Sequence, residues 1–434
     1  MKNIFLIVLS VLFSSSQVPG SAQSYPILLQ NGIIHTIKNG TIYGPDLLFN
    51  NGKIQQIGNG LEIPKNTKVI NVEGKHIYPG LISAGSTLGL QEINAVRATR
   101  DYAETGKINP NVNANVSYNP DSELIPVARS NGILAAHIMP QSGILPGMSS
   151  MMLLDGWTWE ECTLKHPASM ILIWPNMDFI SSPRDEKPVK EYEKELANNL
   201  EQINKVFDAA RAYKNIDQFS INFKSNQRLN SLVRVINNEI PLLIIANSVK
   251  QIESCIYWSE KQNVKIIIFG GKDAWRVTEL LRLKNIPVVY DAVFSTPNRR
   301  HEDYQQSYKS PKLLYDAGVK FCITNSTSSF QTPHLRNLPY HAAMAASFGL
   351  NKEEAIRAIT LSTAEILGVS DMIGSLEVGK DATLFISDGD ILDIRSNVEI
   401  AFIKGKLVDL SDRHKNLFNK YIKKYKQKGI LSGE

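Results

Sequence analysis

The chain has 434 residues, 43% of them apolar and 21% charged, which is length enough for a large core and an ordinary balance for a globular protein. Its formal charge of +5 is concentrated at one end, where residues 411–434 carry seven Lys/Arg against Asp412 and Glu434. The body is therefore close to neutral, which argues against a nucleic-acid-binding surface, and three cysteines (Cys162, Cys255, Cys322) are too few to staple a fold of this size.

From the N-terminus, Lys2 precedes an apolar run over residues 4–13, and Gly20-Ser21-Ala22-Gln23 supplies small residues for cleavage. This is the pattern of a secretory signal, too short to span a bilayer. We expect residues 1–23 to be removed and the mature protein to be periplasmic or extracellular. No later segment reaches about 18 uninterrupted apolar residues, so no transmembrane segment is expected after signal removal.

Residues 25–78 read as strands. Ile27-Leu28-Leu29 precedes Asn31-Gly32, Ile33-Ile34-His35-Thr36-Ile37 precedes Asn39-Gly40, and Asp46-Leu47-Leu48-Phe49 precedes Asn50-Asn51-Gly52. Asn and Gly tolerate positive φ, so these pairs signal hairpins. Residues 79–368 alternate short apolar runs (133–138, 170–174, 241–246, 265–271, 287–290, 320–324) with helical spacing, which predicts helices over about 191–213, 249–261, 274–283, 340–348 and 352–367 and another ending near Ala317. Apolar strands alternating with amphipathic helices imply a parallel sheet covered on both faces, and at this length a (β/α)8 barrel. Residues 373–410 return to strands. In the tail, Leu417, Phe418, Tyr421, Ile422 and Tyr425 recur at helical spacing among lysines. A terminal helix laying this stripe on the body is the expected arrangement, with a membrane surface or a partner as alternatives.

Several stretches carry a family resemblance. Gly74-Lys75-His76-Ile77-Tyr78-Pro79-Gly80-Leu81-Ile82-Ser83-Ala84-Gly85-Ser86-Thr87 is similar to the barrel entry G-K-x-x-x-P-G-L-I-D-A-H-x-H. Gly349-Leu350-Asn351-Lys352-Glu353-Glu354-Ala355, Thr360-Leu361-Ser362-Thr363-Ala364-Glu365-Ile366-Leu367-Gly368 and residues 374–381 add to it. The chain resembles the amidohydrolase superfamily, nearest its imidazolonepropionase-like and prolidase-like branch. The resemblance implies an α/β fold, a metal-dependent-hydrolase-type (β/α)8 TIM barrel over 79–370. It also implies a small discontinuous β-sandwich from 24–78 and 371–410, with a basic amphipathic helix over 411–434 following.

That family uses one or two divalent metals to polarise a carbonyl and to lower the pKa of bound water toward ~7. The resemblance implies ligands at His-x-His on the first strand, a Lys or Glu near the fourth, a His on each of the fifth and sixth, and an Asp on the eighth. Here the first pair is Gly85 and Thr87, the fifth-strand position is Ile245, and the eighth is Asn325 or Ser326. Residues 264–271 contain no histidine, and no Asp or Glu lies between Val319 and Asn351.

We therefore expect no metal cofactor and a protein of C–N bond hydrolase ancestry that binds a small ligand, or pairs with itself or a related barrel. The alternative is an active hydrolase of a cyclic amide or small peptide with a rebuilt zinc site, for which His137, His334, Asp155 and Asp291 are the candidate ligands. The two aspartates are also a candidate acid/base pair. Pocket candidates are Arg97, in the long segment after Gly89, with Asn247, Arg336 and Asn337 on segments that follow strands. Arginines there would favour an anionic ligand.

Overall fold

The computed structural model describes residues 17–178, 188–216, 224–297 and 299–431. The signal sequence expected over residues 1–23 falls largely outside them. Among the described residues no helix is long and apolar enough to cross a membrane.

Both ends of the chain meet in one sheet. The strand Leu384–Ser387 pairs antiparallel with His76–Pro79, with Leu384 opposite Pro79 and Ser387 opposite His76. On one side it is flanked by Val398–Ile403 and Lys406–Leu407, and beyond His76–Pro79 lie Ile33–His35 and Thr41–Tyr43. A second sheet is built from Lys53–Gly58, Asp46–Asn50, Ile27–Gln30 and Lys68–Asn71. The hairpin between Asp46–Asn50 and the edge strand Lys53–Gly58 turns at Asn51 and Gly52, both at positive φ (50° and 77°), which is why Asn-Gly closes a two-residue loop here. Ile27, Leu29, Leu47 and Phe49 of this sheet pack with Ile34, Ile77, Leu384 and Phe402 of the other in one buried cluster.

His76–Pro79 leads directly into Leu81–Ser86, the first of the parallel strands. Leu81–Ser86 pairs parallel with Ile133–Ile138. A parallel run then orders Met170–Ile173, Leu242–Ala246, Ile266–Gly270, Val288–Tyr290 and Phe321–Ile323 as neighbours. One segment joins the two groups, and it departs from the expected all-parallel pattern. Ser150–Leu153 runs antiparallel to Ile133–Ile138, and Gly147–Met148 antiparallel to Met170–Ile173. Ser149, between them, exchanges backbone hydrogen bonds across the join with Ser169 and Ala168. The step from Phe321–Ile323 back to Leu81–Ser86 has no ladder; the Ala84 amide instead donates to Thr324 Oγ1 at 3.1 Å.

The helices cover this assembly with local differences from expectation. The stretch 352–367 is broken into Lys352–Ala358 and Leu361–Leu367. The break lets the Ile359 carbonyl accept the Ile82 amide at 2.9 Å, tying the helices to the first strand. Gln227–Ile236 is a helix the spacing did not single out, capped by Asn226 and burying Leu232, Val235 and Ile236. The terminal helix Arg413–Gln427 forms, but of its stripe only Leu417 faces the body, and none of its side chains is fully buried.

Candidate functional site

The C-terminal ends of the parallel strands are where loops and side chains converge in folds of this kind. At the end of Leu81–Ser86, Gly85 faces an aromatic ring. A Cβ built on Gly85 would lie 2.5 Å from Phe269 Cε2, 2.8 Å from Cζ and 3.0 Å from Met139 Sδ. Phe269 belongs to Ile266–Gly270, is 1% exposed, and so occupies the space a side chain at 85 would need. Thr87 is buried, its hydroxyl 2.7 Å from that of Thr332. Ser83 is buried beside Thr324. Ile245 offers only aliphatic surface, directly opposite Phe269 in the ladder. Asn325 donates through Nδ2 to His341 Nε2 at 3.2 Å and toward the His334 carbonyl at 3.4 Å. An aliphatic, a glycine, a hydrogen-bonded threonine and a carboxamide do not make a ligand set for a divalent transition metal. The residues at these positions do not fit the family's metal.

Beside them a cavity of about 460 Å³ opens between the ends of Val288–Tyr290 and Phe321–Ile323 and the helix Leu338–Ser347. Asp291, Phe294, Ser326, Gln331, His334, Asn337, Tyr340 and His341 line it. Burial lowers His341 to a pKa of about 4, so its ring is neutral near pH 7. Because Asn325 Nδ2 can only donate, His341 Nε2 is the acceptor and Nδ1 carries the hydrogen. That Nδ1 is buried and has no partner, as is Asn325 Oδ1. Burial raises Asp291 to about 6, opposed by a backbone hydrogen bond and by Lys272. The cavity thus has the Asp291 carboxylate and the His341 ring in its lining, with His341 Nδ1 itself covered.

The other sequence candidates are dispersed. His137 does not face the strand ends. It is wholly buried, with Nδ1 donating to the Ala84 carbonyl at 2.9 Å and Nε2 2.6 Å from Ser149 Oγ, so neither nitrogen is open to a metal. Asp155 follows an antiparallel strand, which carries it to the opposite end of the assembly from Asp291. There it pairs with buried Arg129 at 2.6 Å and accepts the Gly20 amide at 2.9 Å. The two aspartates are not an acid/base pair. A larger cavity, about 1070 Å³, surrounds Asp155 and Arg129 with Tyr118, Cys162 and Leu417, at the N-terminal strand ends. Arg97 is exposed on the surface, and Asn247 is exposed with its carboxamide packed over Gly270. The Arg336 carbonyl accepts from Asn131 Nδ2 at 2.6 Å. Neither arginine lines the 460 Å³ cavity, whereas Asn337 and His334 do. Sequence reasoning passed over His341 and Phe269; a buried aromatic on an apolar strand carries no signal of the glycine it faces.

A family profile described as "Amidohydrolase family" matches residues 283–410. The architecture agrees over nearly the whole chain. The crystal structure of an amidohydrolase from Thermotoga maritima superposes with a TM-score of 0.76 at 25% identity, covering 88% of this chain and 99% of that one. The chain belongs to the amidohydrolase superfamily. Its fold is accordingly of the TIM-barrel type, with one strand position reversed. Among curated amidohydrolase relatives, the amidohydrolase tasK of Hapsidospora irregularis is 18% identical over 381 residues, 80% of this chain and 38% of its own length. The imidazolonepropionase of Thermoplasma volcanium is 33% identical over 86 residues, 20% of this chain and 21% of its own. The chain thus spans well under half the length of these curated relatives.

Proposed function

We propose that this member of the amidohydrolase superfamily is a small-ligand-binding barrel whose metal position has been given over to packing. Its ligand carries an amide group and sits in the cavity between Asp291 and His341. The Phe269 ring pressed on Gly85 carries this reading, because it supplies apolar contact where the family needs a first-strand imidazole. The cavity supports the ligand class. An amide N–H suits the Asp291 carboxylate, and a carbonyl oxygen would satisfy the covered, unpartnered Nδ1–H of His341 once that ring turns toward the cavity. With Asp291 and no arginine in the lining, a cyclic amide or a dipeptide amide fits better than a simple anion.

A thermal-shift screen of cyclic amides and dipeptides tests it. A ligand at ~100 times its dissociation constant stabilises the native state by about 2.7 kcal/mol. Asp291→Ala and His341→Phe are expected to abolish that shift. Elemental analysis of dialysed protein is the second arm. Close to one zinc ion per chain would overturn this reading and favour hydrolysis of a C–N bond through a rebuilt site, for which Asp291 and His334 share one cavity.

Three further points belong to the same proposal. The shared core of the two terminal sheets supports a composite β-sandwich. The succession of eight strand positions supports a barrel over residues 79–370. The basic and apolar N-terminal pattern supports export, and sequencing of secreted protein should begin near Gln23; an intact Met1 would reject cleavage.

A further inference from the structure

The terminal helix Arg413–Gln427 is firmly begun and then left uncovered. Asp412, 5% exposed, caps it by accepting from the amides of His414 at 2.7 Å and Lys415 at 2.9 Å. Beyond the cap no side chain of the helix is buried. Phe418 is 65% exposed, Tyr421 48%, and Ile430, just past the helix, 65%. At about 100° per residue, Phe418, Tyr421, Ile422 and Tyr425 fall on one arc. Arg413, Asn416, Leu417 and Lys420 line the cavity at the N-terminal strand ends, so the arc that meets the body is a different one. The aromatic residues of this arc are therefore left exposed, with Ile422 half-buried among them.

The charge around it has one sign. Lys415, Lys423, Lys426 and Lys428 flank the arc or lie behind it, and between residues 413 and 431 there is no acid. Lys424 Nζ lies 5.4 Å from the Tyr421 ring centre and 6.0 Å from that of Tyr425, so a cation borders the aromatic strip itself. Aromatic side chains with an apolar body and a polar tip, set among lysines, match the boundary between headgroups and acyl chains. Lysines on the polar side of such a helix add attraction to anionic headgroups. A protein partner would have to supply a groove with acid along both rims, whereas an anionic bilayer presents that charge uniformly. We propose that this helix lies in the plane of an anionic phospholipid surface, with Phe418, Tyr421 and Tyr425 inserted at the headgroup level. This holds the barrel at the membrane without crossing it. The inference does not depend on the cavity at the opposite end of the barrel.

The experiment is co-sedimentation of the full chain with vesicles of phosphatidylcholine alone or mixed with phosphatidylglycerol. Binding is expected only to the mixed vesicles. It should fall at least about ten-fold for the triple variant Phe418→Ser, Tyr421→Ser, Tyr425→Ser, and similarly for Lys423→Glu with Lys426→Glu. Because every substituted side chain is exposed, circular dichroism and melting of both variants should match the parent. Absence of binding to the mixed vesicles overturns the proposal. Binding that the serine variant leaves unchanged overturns it too, since only charge would then be read. Concentration-dependent dimerisation lost in the serine variant, without vesicle binding, would assign the arc to a second copy instead.

Discussion

At the scale of single residues, Gly85 and Phe269 act as one unit. Placing a Cβ at 85 forces it to within 2.5 Å of a ring that is itself fully packed. Gly85→Ala should therefore cost about 1–3 kcal/mol, the range for overpacking a core. Phe269→Leu leaves a void in the parent but relieves the clash in the alanine variant, so the double variant should be more stable than the two single losses add up to. Urea midpoints of the four proteins give the coupling, and simple additivity would show that the ring does not press on position 85. His341 and Asp291 are the other pair to watch. Neither came out of the sequence as a ligand-facing couple, because Val288–Tyr290 and Leu338–Ser347 are distant in the chain and only the fold brings their ends together.

At the scale of elements, the antiparallel segment Gly147–Leu153 has the largest effect on what is where. Ser149 sits at its centre, wholly buried, with its hydroxyl 2.6 Å from His137 Nε2 and 2.7 Å from the Ser169 hydroxyl. Ser149→Ala would leave His137 Nε2 only the Ser169 hydroxyl at 3.5 Å, and a weakly satisfied buried polar group costs up to about 1–3 kcal/mol. A urea midpoint indistinguishable from the parent would mean that the trio does not hold the join. The same segment marks the limit of sequence reading. The alternation of apolar runs and helices disclosed the parallel strands from Leu242 to Ile323, because each strand is a continuous apolar run. Direction is not written in such a run. Ser150-Met151-Met152-Leu153 is as apolar as its parallel neighbours, so Asp155 read as a residue of the functional end and in fact caps the other. The terminal helix failed in a complementary way. Its apolar spacing was legible, but spacing cannot tell a face that packs on the body from one held away from it.

For the whole molecule, acid is the informative stress. Burial lowers His137 and His341 to pKa values of about 4 and His35 to about 3, against 6.5 in an unfolded chain. Each folded pKa is depressed below its unfolded value. The stability these groups support is therefore complete above pH 6.5 and lost as pH falls toward 4. Asp291 has the opposite sign. Its folded pKa of about 6 exceeds the model-peptide 3.8, so it favours the fold at low pH and withdraws that support as pH rises through 6. Urea midpoints between pH 4 and 8 should fall steeply on the acid side, and less steeply for His341→Phe. For Asp291→Asn, the decline with rising pH around 6 should vanish. Equal pH profiles for parent and both variants would show that these groups do not titrate with folding. The ring at 269 also restricts the order in which substitutions at position 85 could occur. In any lineage that passed from a histidine at position 85 to this chain by single steps, the small residue had to arrive before the ring, since the two large groups cannot share the space. Once the ring was in place it barred the way back, for a histidine regained at 85 would meet Phe269 before it could meet a metal. In such a lineage packing acts as a ratchet on descent, and a histidine could return to position 85 only after the residue at 269, on a different strand, had become smaller.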